Sequence, residues 1–148
     1  MTTHPLPSSE SQLVFLAKLQ RIFTERDFTA TYTFALLIAL ADLAVELGVD
    51  DGEELTVPIR QIAERFIQLY WRHALPYGKG RANTSPGVLA QSNGVQAAAI
   101  SAITGFRTRH GAATPQLAGA LPEYQTLLRS VAQTVSAQPL NYLQTLAA

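Results

Sequence analysis

The stretch TATYTFALLIALADLAVEL, residues 29–47, decides the fold of this chain. Between positions 32 and 47, its clearly polar side chains are those of Thr33, Asp42 and Glu46. A helix formed here is therefore apolar on nearly every side, and such a helix is normally buried. The stretch predicts a hidden central helix around which the other segments pack.

A membrane-spanning helix is the alternative for this stretch. Crossing a bilayer takes about 20 uninterrupted apolar residues. Asp42 and Glu46 lie one turn apart near its end, and Arg26 and Asp27 precede its start, so the apolar run is too short. The sequence predicts no membrane partner.

Length and composition set the class of protein. A chain of 148 residues fits one domain. Only 15% of the residues are charged, which is low and indicates that part of the surface meets a partner or a further domain. The absence of cysteine excludes disulfides and fits a cytoplasmic protein.

Helical spacing recurs along the chain, without a convincing strand, and predicts an all-α, compact bundle of about five to six helices around the buried central helix. Ser9 is the predicted cap of the first helix, and Gly111 and Thr114 end and restart the helical pattern later. The predicted domain runs over residues 9–138. Residues 1–8 are a tail, and residues 139–148 a second tail or the start of a linker.

Charge divides the chain into two halves. Residues 1–64 contain four basic and ten acidic side chains, whereas residues 65–148 contain seven basic ones and the single acid Glu123. The halves therefore carry formal charges of −6 and +6. This asymmetry indicates either a polyanion bound by the second half or an attraction between the two halves within the fold.

The basic second half supplies the candidate binding residues. Tyr70 and Trp71 are interleaved with Arg72, as in surfaces that stack bases and bind phosphates, although a buried aromatic anchor at a helix end is the commoner explanation. A glycine-rich loop at residues 77–87 adds two further cations. The candidate nucleic-acid contacts are Arg72, Lys79, Arg81, Arg107 and Arg109.

Catalytic and metal-binding patterns are missing from the sequence. The histidines His4, His73 and His110 are isolated from one another and from carboxylates at ligand spacing. No serine stands in a nucleophile elbow. The sequence thus predicts no metal site, no cofactor and no enzyme complete within this chain.

Four segments resemble the amino-terminal helical region of bacterial HNH endonuclease proteins. They are KLQRIFTERDFTATYTFALLIALADLAVE (residues 18–46), IAERFIQLYWRHALPY (62–77), VLAQSNGVQAAAI (88–100) and SVAQTVSAQPLNYLQ (130–144). In such proteins, the resemblance implies, the His-Asn-His nuclease residues that hold a divalent ion lie in a separate domain after the helical region. No residue of this chain matches that motif.

The resemblance and the charge together predict a non-catalytic accessory domain that helps an HNH-type nuclease to bind or position DNA. A competing hypothesis is a protein-interaction or dimerisation module, motivated by the low charged fraction and the apolar segment 140–146. A third is a helical bundle that binds a small ligand between the central helix and the Tyr70 and Trp71 end.

Overall fold

The structure, a computed structural model, describes residues 7–24, 32–49, 52–74, 98–141 and 143. The all-α class is confirmed, and no strand occurs in these ranges. None of the helices in them is long and apolar enough to cross a membrane. In chain order they are α1 (Ser9–Thr24), α2 (Tyr32–Leu47), α3 (Ile59–Tyr70), α4 (Ala98–His110), α5 (Pro115–Gly119) and α6 (Tyr124–Val135), followed by a π-helical turn (Ser136–Leu140).

The core forms where α3 and α6 pack along each other. Helix α2 packs on α3 and on the π-helical turn, and α4 packs on α6 and α3. Phe66 of α3, Phe106 of α4 and Val131 of α6 are fully buried at these contacts. Leu140 and Leu143, which belong to the predicted second tail, also pack against this core.

Helix α2 is buried on one face only, which differs from the predicted burial on nearly every side. Leu36 and Ala39 are completely inaccessible to solvent, whereas Phe34, Ile38 and Val45 are 44%, 48% and 85% exposed. The reason is geometric: α3 and the π-helical turn cover a single stripe of α2. The opposite apolar face meets no equally extensive neighbour among the described residues.

Several predicted helix ends are confirmed and one is shifted. Gly111 has a φ of 64° and its N–H donates to the Arg107 carbonyl over 2.9 Å, which is the left-handed cap that ends α4. The Thr114 hydroxyl accepts the Leu117 N–H and starts α5. Helix α1 is capped by Ser8 rather than Ser9, because the Ser8 hydroxyl accepts the Ser11 N–H over 3.1 Å.

A buried tyrosine ties α2 to α4. The Tyr32 hydroxyl accepts the Ala99 N–H over 2.8 Å, one of the first-turn amide groups that have no partner within a helix. The Tyr32 ring also stands edge-on to Phe66 and Tyr70. Burial raises the pKa of Tyr32, against the opposing effect of the backbone N–H groups of Ala99 and Ile100.

The raised pKa of Tyr124 predicts a loss of stability at alkaline pH. Burial, and next the charge of Glu64, raise its pKa above the ordinary value, while Arg60 acts in the opposite direction. The folded protein therefore keeps this proton when the unfolded chain releases it. The stabilisation is complete below about pH 10, the unfolded pKa, and is lost as pH rises through the higher folded pKa.

We expect denaturant unfolding of the wild type to show a falling free energy above about pH 10. Tyr124→Phe removes this contribution, so its decline over the same range is shallower. Absorbance titration of the phenols supplies the independent readout, since Tyr124→Phe deletes a late-titrating group. Identical alkaline profiles for the two proteins contradict the assignment.

Candidate functional site

The predicted aromatic and basic cluster lies where α3 ends against α4. Trp71 and Tyr70 are each only 4% exposed, so the buried-anchor interpretation is confirmed and these rings are not available to stack on bases. The Trp71 indole N–H donates to the Ala113 carbonyl over 3.1 Å. The anchor thus fixes the end of α3 to the segment after α4.

Arg107 lies against this anchor. Its guanidinium carbon is 4.8 Å from the centre of the Trp71 ring, and its Nη1 donates to the Trp71 carbonyl. A cation at the last carbonyls of a helix is favoured by the helix dipole. Burial lowers the pKa of Arg107, but an arginine stays protonated in proteins.

Thr104 makes a second link of the same kind. Its hydroxyl donates to the Ala74 carbonyl over 3.2 Å, so α4 satisfies two carbonyls beyond the last residue of α3. The sequence did not reveal this arrangement, because Arg107 and Trp71 are 36 residues apart. Their only sequence signal was the placement of a basic residue near the end of one helix and an aromatic residue at the end of another.

These links place the end of α3 beside α4, and we call the basic residues of these two segments the α3–α4 corner. Arg72 and His73 follow the anchor at the end of α3, and Arg109 lies at the end of α4; all three are exposed. His110 is half-buried, with its ring 4.6 Å from that of Phe106. The corner comprises Arg72, His73, Arg107, Arg109 and His110.

Acidic residues are absent from the sequence around this corner. No Asp or Glu occurs from residue 65 to residue 122. The acidic end of α2 instead pairs with α3, where Arg65 contacts the Glu46 carboxylate. This ion pair supports part of the alternative interpretation, an attraction between the two halves, but it does not involve the corner.

The other predicted contacts, Lys79 and Arg81, lie outside the described residues. The segment that carries them joins Ala74 to Ala98. The Ala74 carbonyl accepts from Thr104 of α4, and Ala98 is the first residue of α4. The described part of the chain contains no group of three or more His, Asp or Glu residues placed to hold a metal ion.

Comparison with known proteins gives a family but no activity. A family model described as a domain of unknown function, DUF8808, matches residues 13–147. No curated protein matches the chain, and no solved structure matches it. The matched span contains all of the corner and every helix except the first turn of α1.

Proposed function

We propose that this chain, which belongs to the DUF8808 family, is a DNA-binding accessory domain of a bacterial, cytoplasmic HNH-type endonuclease. The observation that carries the proposal is the α3–α4 corner, where the Trp71 and Arg107 contact holds together the segments that bear the exposed Arg72 and Arg109. Lys79 and Arg81, which lie outside the described residues, stay predicted contacts.

The chemistry of the corner suits phosphates rather than base edges. Arginine binds phosphate through paired N–H donors and retains its charge at every physiological pH. With no acid in residues 65–122, nothing in the neighbouring sequence opposes an approaching polyanion. The buried Tyr70 and Trp71 rings do not read bases. Binding at this corner is therefore electrostatic and nearly independent of DNA sequence.

The double variant Arg72→Ala, Arg109→Ala tests the corner. We expect its affinity for a short DNA duplex to fall on the order of tenfold at low salt, because two phosphate contacts are lost. The slope of log affinity against log salt becomes shallower by about 2. Fluorescence anisotropy with a labelled duplex, repeated over a salt series, measures both quantities.

Arg129→Ala is the matched control. Arg129 is an exposed arginine of the same basic half, but it lies near Ile59 at the opposite end of α3. Its replacement leaves the affinity and the salt slope close to those of the wild type. The proposal fails if the double variant binds like the wild type, or if Arg129→Ala weakens binding as strongly as the double variant does.

A non-catalytic accessory role also predicts that the chain does not cleave DNA. The chain should bind duplex DNA without cutting it when Mg²⁺ or Mn²⁺ is present, because no residue matches the HNH motif. A plasmid-nicking assay measures this directly. Metal-dependent cleavage by the purified chain contradicts a non-catalytic role, whereas binding without cleavage supports it.

A further inference from the structure

A polar strip on the outer face of α3 runs into the α3–α4 corner. Arg65, Gln68 and Arg72 follow one another at intervals of three and four residues, so they share one face of the helix. The buried residues of α3 occupy the opposite side; they are Ile62, Ala63, Phe66, Ile67 and Tyr70. The strip therefore faces away from the core, and Gln68 and Arg72 are both exposed.

Helical geometry continues beyond Tyr70 as far as Arg72. Trp71 keeps helical dihedral angles, with φ of −55° and ψ of −44°, and the Ala74 N–H donates to the Tyr70 carbonyl over 3.0 Å. At 1.5 Å per residue, Arg65 and Arg72 are attached about 10.5 Å apart along the helix. Successive phosphates of one DNA strand advance about 3.4 Å along the duplex axis, so the two arginines match phosphates about three nucleotides apart on a duplex lying along α3.

Arg65 differs from Arg72 because an acid holds it. Its Nη2 donates to the Glu46 carboxylate of α2, and its Nη1 donates to the Gln68 side-chain oxygen over 3.4 Å. The side chains of Arg65 and Glu46 are 24% and 52% exposed, so the pair lies at the surface. A phosphate that reaches the Arg65 guanidinium meets the Glu46 carboxylate there, and the two anions compete for the same donors.

We propose that Arg65 is a further phosphate-binding residue of the DNA surface and that Glu46 restrains it through this ion pair. The inference rests on the proposed DNA binding at the corner. A duplex that contacts Arg72 brings a neighbouring phosphate to Arg65, and the exposed Gln68 between them supplies an amide N–H donor. Glu46 neutralises Arg65 and repels that phosphate, so the wild type binds DNA more weakly than the strip allows.

Glu46→Gln tests the restraint. The glutamine keeps the size of the side chain and an oxygen that accepts from Arg65, but it leaves the guanidinium charge free for a phosphate. One additional phosphate contact steepens the slope of log affinity against log salt by about 0.9. The ratio of the affinities at about 50 and 200 mM salt then grows about three- to fourfold. Fluorescence anisotropy with a labelled duplex over a salt series measures this ratio.

Glu64→Gln is the matched control, because it makes the same change of charge at another paired glutamate. Glu64 lies 3.6 Å from Arg60 in an ion pair, and Arg60 is about 140° around α3 from Arg65. We expect the wild-type slope for this variant. The double variant Glu46→Gln, Arg65→Gln also returns to the wild-type slope, because the added phosphate contact is lost. Circular dichroism establishes that each variant remains helical.

Three results overturn the inference: an unchanged slope in Glu46→Gln, an equal increase in Glu64→Gln, and an increase that persists when Arg65 is also replaced. Each of them is compatible with weakened binding in the variant Arg72→Ala, Arg109→Ala, so they separate the role of Arg65 from that of the corner. A wild type that does not bind the duplex contradicts both proposals.

Discussion

Replacing Leu36 by alanine lowers the free energy of unfolding by about 2–5 kcal/mol. Leu36 is completely buried on the face of α2 that packs against α3. The substitution removes buried methyl groups and leaves a cavity that packed neighbours fill only in part. Because a domain of this size is stable by about 5–15 kcal/mol, such a loss leaves a markedly less stable fold.

Leu117→Ala is the control for this prediction, since it makes the same chemical change at a side chain that is 61% exposed. We expect its effect to stay within about 0.5 kcal/mol. Urea unfolding, followed by circular dichroism at a fixed low protein concentration, gives both values without a contribution from self-association. Comparable losses at the two leucines would show that α2 does not pack as described.

The contrast between the two faces of α2 shows what the sequence determines. Its lack of polar residues predicted a helix that is buried on nearly every side; the structure has the helix, but only one stripe of it is buried. Periodicity cannot say which apolar face is covered, because every face of such a helix is equally suitable. That choice depends on where α3 and the π-helical turn lie. The exposed Phe34 and Ile38 were therefore beyond sequence reasoning.

The sequence likewise predicted only part of the candidate site. Composition alone identified Arg72, Arg107 and Arg109 as basic residues in an acid-poor half, and the structure brings the segments that carry them to one corner. Composition did not distinguish the arginine that stacks on Trp71 from the two that are exposed. This distinction depends on a contact between residues far apart in the chain, for which a single sequence has no periodic signal.

Replacing Trp71 by alanine lowers the free energy of unfolding by about 3–5 kcal/mol. The indole is 4% exposed, its N–H is bonded to the Ala113 carbonyl, and its ring supports the Arg107 guanidinium. The variant loses the packing, the hydrogen bond and the stacked cation together. Thermal unfolding followed by circular dichroism measures the loss, because the chain has a single tryptophan and the variant has no indole fluorescence.

Trp71→Phe separates the packing from the hydrogen bond. It keeps an aromatic ring but removes the N–H, so we expect a smaller loss of about 1–3 kcal/mol. Leu117→Ala again supplies the baseline for an exposed position. If Trp71→Ala unfolds at the same temperature as the wild type, the end of α3 is not anchored as described, and the α3–α4 corner loses its support.

Arg107→Lys distinguishes a structural role of Arg107 from a direct contact with a DNA phosphate. Lysine keeps the charge but lacks the planar guanidinium that stacks on Trp71 while donating to its carbonyl. If Arg107 only stabilises the fold through its contact with Trp71, the variant loses stability, its tryptophan fluorescence changes, and the salt slope of DNA binding is retained. If Arg107 instead contacts a phosphate, Arg107→Ala makes the slope shallower by about 1, and Arg107→Lys restores it. We expect the structural role, because the guanidinium already stacks on the Trp71 ring and donates to the Trp71 carbonyl.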